Sequence, residues 1–226
     1  TINASVLGGG AEAVALALHT EYRRLGHEAW LLVGNQNAER PDVIQIPNER
    51  DRSPWARLLR TSAAAAAHRV AHDRDPWWYA DRALRSAAEP ARYARVARGH
   101  EDFDHPGTAH LLDLTPHVPD VLHFHNLHGS YFDVRELSSL TARVPSVLTM
   151  HDAWLMTGHC AHPLECERWL TGCGSCPYLE RYVPIMADAA ADNFAVKRTA
   201  LGASHLAFAT PSRWLMEMAE RSGILD

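Results

Sequence analysis

Two groups of residues in this chain have the types and spacing that chemistry needs. The first is polar and rich in histidine: His123, His125, Asn126 and His128, followed later by His151 and Asp152. An imidazole can donate or accept a hydrogen bond near neutral pH, so such a group suits the binding of hydroxyls and phosphates. His151 is the leading candidate of this group. Asp152 could orient the His151 ring or accept from a hydroxyl. The second group is Cys160, Cys166, Cys173 and Cys176, spaced C-x5-C-x6-C-x2-C. Four thiolates in one loop could close a tetrahedral structural zinc site. Two disulfides are an alternative and free thiols a third, and His159 or His162 could replace a cysteine as ligand. A thioredoxin-like role for the terminal CGSC fits poorly, because no helix clearly starts there.

The histidines need elements to position them. Val121 to Phe124 and Ser146 to Met150 are apolar runs too short for helices and bounded by turn residues, as buried parallel strands are. Alternation along the first puts His123 and His125 on one side. Tyr131 to Leu140 has helical spacing and can form the crossover of a βαβ unit. In an open α/β sheet, ligands collect beyond the carboxyl ends of the strands, where these histidines fall.

The rest of the chain repeats the pattern. A strand up to Leu7, the turn Gly8-Gly9-Gly10, a helix over 11–25 stopped at Gly26, and a strand at Ala29 to Val33 make a first βαβ unit. The glycines precede a helix N-terminus, where free amides and the helix dipole favour an anion. The turn lacks GxGxxG and no acidic residue ends the second strand, which argues against a dinucleotide-binding dehydrogenase. A short strand is expected at Val43 to Ile46. A helical insertion rich in alanine and arginine follows over about 53–100, broken near Asp75-Pro76 and Glu89-Pro90. Arg57, Arg60, Arg69, Arg82, Arg85, Arg92 and Arg95 make it a basic face, either solvated or in peripheral contact with anionic lipid through Trp77, Trp78 and Tyr79. The cysteine-rich loop covers about 158–178. Helix at Asp188 to Leu201, strand at Leu206 to Thr210 and helix from Pro211 to Arg221 complete the chain. The expected fold is one doubly wound, Rossmann-like α/β domain over residues 1–226.

Composition narrows the class. Hydrophobic content of 46% and charged content of 22% are those of a globular protein, and a net charge of −5 gives no sign of nucleic-acid binding. No apolar run approaches the ~20 residues of a membrane span. The clustered cysteines do not resemble an extracellular scaffold stapled throughout, so a cytoplasmic protein is expected. Most of the 15 histidines are bystanders: His19, His27, His68 and His72 have no evident partner. Neither HExxH nor a comparable ligand pattern is present, which argues against a zinc hydrolase.

The order and spacing of HFHNLHG, TMHDAWLMTGHC and the cysteine run carry a family resemblance. Gly8-Gly9-Gly10-Ala11-Glu12, Gly26-His27-Glu28-Ala29 and Pro211-Ser212-Arg213-Trp214-Leu215 extend it over most of the chain. Together they resemble the N-terminal, acceptor-side domain of GT4-family glycosyltransferases of GT-B fold, in the exopolysaccharide and colanic-acid subgroup. The resemblance implies transfer of a sugar, with retention, from a nucleotide-sugar to a hydroxyl of a saccharide or lipid-linked acceptor. It places His151 and Asp152 near the reacting centre, and Gly8, Gly9 and Gly10 near the donor diphosphate or the acceptor. His125, Asn126, His128, Ser212 and Arg213 are the further substrate-binding candidates. The family's E-x7-E carboxylate pair is absent up to Asp226. A C-terminal donor domain is therefore expected outside these residues, and the chain alone is expected to be inactive. The rival expectation is a non-catalytic Rossmann-like module that docks a partner chain.

Overall fold

The computed structural model describes residues 1–70 and 76–225. His72 and Asp75, and with Asp75 one side of the expected helix break, lie outside the described residues. Six parallel strands form one sheet in the order β3-β2-β1-β4-β5-β6. They are β1 (Ile2–Ser5), β2 (Leu31–Asn35), β3 (Val43–Gln45), β4 (Leu122–Phe124), β5 (Ser146–Thr149) and β6 (Leu206–Ala209). The chain builds outward from β1 to β3, then crosses back and builds the other way from β4 to β6. The reversal between β1 and β4 opens a crevice at their carboxyl ends, the usual ligand position of a doubly wound sheet.

Strand alternation divides the apolar residues between two cores. On one face Leu31, Val33 and Val43 pack with Val6 and with Leu16 of α1 (Gly10–Arg24). On the other, Ile2, Leu32, Phe124 and Leu148 meet Phe132, Leu137 and Leu140 from the β4–β5 crossover and Phe194 and Leu201 from α6 (Ala190–Gly202). The crossover is less regular than its spacing predicts. A 3₁₀ turn, Val134–Glu136, capped by the Asp133 side chain, leads into a short α5 (Leu137–Thr141). At Gly26 the backbone takes φ of 91°, open to glycine and costly for other residues, so α1 ends where expected.

The insertion contains α2 (Pro54–Ala67), α3 (Pro76–Ala88) and α4 (Pro90–Ala97), with Glu89-Pro90 a boundary as expected. Its arginines are not the free basic face that composition suggested. Arg60, Arg85, Arg92 and Arg95 are each paired with carboxylates. Arg69 and Arg82 lie over the rings of Trp77 and Trp78. The last helix, α7 (Arg213–Ser222), is closed by Gly223 in the left-handed region. No described helix is long and apolar enough to cross a membrane.

Candidate functional site

The carboxyl ends of β4 and β5 bring the histidines together in two sets. His125 is 1% exposed, and its Nδ1 lies 2.9 Å from Nε2 of His151, with the rings stacked. His123 stands on the same side, ring centroids 4.2 Å apart, as alternation required. It is held between the Tyr22 hydroxyl at 3.0 Å and Thr149 Oγ1 at 2.8 Å. Burial penalises the charged form of all three. It takes His123 down to about 4 and His125 down to about 3, and lowers His151 despite the pull of the Asp152 and Glu12 carboxylates. At neutral pH these rings are uncharged, so the His125–His151 hydrogen bond holds a single proton. Among the described residues His125 Nε2 is buried with no hydrogen-bond partner, as is Oδ1 of Asn3, one residue along from the Ile2–Phe124 pair in the neighbouring strand.

The second set corrects an expectation. Asp152 does not orient His151. Its Oδ2 lies 2.9 Å from Nε2 of His128, and its Oδ1 accepts from the Trp154 amide at 2.9 Å. Burial pushes the Asp152 carboxyl up, but the His128 contact and the Trp154 amide more than offset this, so the group is held below its ordinary value and ionised. An ionised carboxylate can only accept. It therefore accepts from His128 Nε2–H, which in the neutral ring leaves Nδ1 as the acceptor; among the described residues Nδ1 is buried with no hydrogen-bond partner. The His128 ring is flanked by Trp154 and by Tyr182, which stands edge-on to it. It lines a cavity of about 140 Å³ with Gly129, Ser130, Glu101, Trp154 and Met186.

Behind this cavity is a group that the sequence reading passed over. Glu101 accepts from Trp154 Nε1 and from Lys197 Nζ, the latter at 2.7 Å, and Lys197 Nζ lies 4.3 Å from the Trp154 ring centroid. Lys197 is completely buried. A buried lysine requires a partner. The available signal was its place on α6, between Phe194 and Leu201 on the buried stripe.

The glycine turn lies beside these sets, at the end of β1. The Glu12 carboxylate, four residues after Gly8, folds back to accept from the Gly9 amide at 2.8 Å. A Cβ on Gly8 would stand 3.1 Å from the Glu12 side chain. One amide expected to be open to an anion is therefore occupied by the protein's own carboxylate, and Glu12 joins the candidate residues. Asn126 is half-buried, and its carbonyl accepts from the Tyr131 hydroxyl. Ser212 caps α7 through the Leu215 amide, and Arg213 is exposed; both sit beyond β6, two strands from β4.

All four cysteines are free thiols, so the disulfide alternative is not realised. They line one small cavity of about 20 Å³ with His159, whose Nε2 lies 3.4 Å from Cys176 Sγ. Burial raises the Cys160 thiol and pushes Cys173 up to about 11. Among the described residues no group of three or more His, Cys, Asp or Glu side chains is arranged to hold a metal ion. The expected zinc at Cys160, Cys166, Cys173 and Cys176 thus finds no support, although the donors share one cavity.

Part of the chain is similar to a known protein. Over 87 residues, 35% of its length, the chain is 39% identical to WcaC of Escherichia coli (strain K12), a proposed colanic acid biosynthesis glycosyl transferase. It is similar to a glycosyl transferase. The chain spans 22% of that protein's length. No protein-family model and no solved structure matches it.

Proposed function

We propose that this chain is the acceptor-side domain of a GT4-like, GT-B glycosyltransferase, which moves a sugar from a nucleotide-sugar to a hydroxyl of a saccharide or lipid-linked acceptor. The observation that carries the proposal is His128: a carboxylate-oriented imidazole with a bare Nδ1, in a cavity at the edge where doubly wound sheets collect ligands. The similarity to WcaC supplies the reaction class.

In this reading an acceptor hydroxyl donates to His128 Nδ1, and Tyr182, exposed beside the ring, moves to admit it. The oxygen gains nucleophilic character as it approaches the anomeric carbon, and His128 takes up its proton while Asp152 stabilises the resulting imidazolium. Configuration is retained. The departing diphosphate meets the open amides at the N-terminus of α1, with further cations from a donor domain outside these residues. His151 and His125, neutral and mutually bonded, serve as hydrogen-bonding groups toward sugar hydroxyls. Any peripheral lipid contact falls to exposed Trp55, Trp77 and Tyr79 on the insertion of a cytoplasmic protein.

The test is to incubate the full-length gene product with a panel of nucleotide-sugars and saccharide or lipid-linked acceptors, following nucleotide release and product mass. Acceptor-dependent release with a product heavier by one glycosyl unit is expected. Binding of a partner chain with no transfer from any donor would favour the docking-module reading instead.

A further inference from the structure

Beside the His128 cavity is a second one, of about 410 Å³, beyond the ends of β2 and β3, and its lining differs in kind. Four guanidiniums, those of Arg50, Arg52, Arg60 and Arg92, face it with a single carboxylate, Glu49. Two of the arginines are fully engaged. Arg60 holds Glu49 through Nε at 2.7 Å and Nη2 at 2.5 Å, and Arg92 grips Asp102 at 2.6 Å and Glu89 at 2.8 Å.

The other two have donors to spare. Arg52 is 7% exposed; its Nη1 bonds Glu89 and its Nη2 bonds the Asp104 carbonyl at 2.9 Å. Its Nε is buried with no hydrogen-bond partner among the described residues, the nearest Glu49 oxygen standing off at 3.6 Å. The guanidinium is ion-paired, but a buried N–H without a hydrogen-bond partner is costly, and an incoming oxygen relieves it. Arg50 is exposed and has no protein partner among the described residues. Burial lowers the Arg52 pKa, and Arg92 and Arg60 add to this while Glu89 and Glu49 oppose it. Planar guanidinium donors of this kind match the oxygens of phosphate and carboxylate.

We propose that this cavity is an oxyanion-binding site, and that it holds an anionic group of the acceptor. Ser130 lines both this cavity and the one at His128, so one molecule can place a phosphate or carboxylate on Arg50 and Arg52 and a hydroxyl toward His128. The second half of this assignment rests on the transferase reading. The first half, binding of the anion, does not.

The experiment is calorimetric titration of the full-length protein with pyrophosphate and with glucuronate, at low and moderate salt. Saturable binding weakened about tenfold by Arg50→Ala, an exposed position whose loss leaves the fold intact, is expected. Arg52→Lys, which keeps the charge but removes Nε, should weaken binding similarly while the circular-dichroism spectrum stays unchanged. His128→Ala should leave anion binding untouched, so failure of the transferase reading and failure of this site are separable. Tighter pyrophosphate binding supports a phosphorylated acceptor, and tighter glucuronate binding an acidic sugar. No saturable binding of either, or binding indifferent to Arg50→Ala, overturns the proposal.

Discussion

Nε2 of His128 lies 2.9 Å from the Asp152 carboxylate, across adjacent strand ends of the sheet, and that contact decides which nitrogen of the ring is free. The carboxylate can accept but not donate, so Nδ1 is the acceptor left over. Asp152→Asn should disturb this tautomer without removing bulk. Glycosyl transfer is expected to fall by about 10²-fold, with the donor KM unchanged. Steady-state kinetics on the full-length enzyme, with acceptor and donor varied separately, checks this.

The neutral histidines impose a pH dependence on stability. His123 and His125 have folded pKa values of about 4 and about 3, below the ordinary imidazole value, and His151 is lowered too. Between those values and about 6.5 the unfolded chain binds more protons than the folded one. Their contribution is thus complete above about pH 6.5 and is lost as pH falls from there through the folded values. Urea midpoints should drop steadily from pH 7 to pH 4. His125→Gln should flatten the slope.

Lys197 tests the support behind the cavity. Its ammonium is fully buried against Glu101 and the Trp154 ring. Lys197→Met leaves the Glu101 charge buried and unpaired, and is expected to cost about 3–5 kcal/mol by urea denaturation. The double change Lys197→Met with Glu101→Gln should recover a large part of that, because no isolated charge then remains.

A steric prediction concerns β2. A Cβ on Gly34 would lie 2.2 Å from Cβ of Tyr131, a buried ring whose hydroxyl bonds the Asn126 carbonyl. Gly34→Ala must displace Tyr131 and is expected to destabilise by about 1–3 kcal/mol, as overpacking does. A thermal melt will show it.

The scaffold was legible because its cues are local. Short apolar runs ending in polar residues marked β4 and β5, Gly26 marked the end of α1, and alternation placed His123 beside His125. The pairings within the site were not legible, because they join residues far apart in the chain. Adjacency in sequence suggested that Asp152 serves His151, whereas the loop after β4 brings in His128 from 24 positions away. Glu101 and Lys197 are 96 residues apart, and nothing near either announces the other. The arginines of the insertion read as one basic face, either solvated or against anionic lipid. Their carboxylate partners, Glu49, Glu89 and Asp102, come partly from outside it, and so much of the charge is turned inward.

Whether His128 meets the acceptor is measured most directly by acceptor-dependent transfer with the full-length protein carrying His128→Gln, alongside donor binding by the same protein. A fall in kcat/KM for acceptor of about 10²-fold or more is expected, with donor affinity retained. Transfer at the unsubstituted rate would contradict it and return attention to His151.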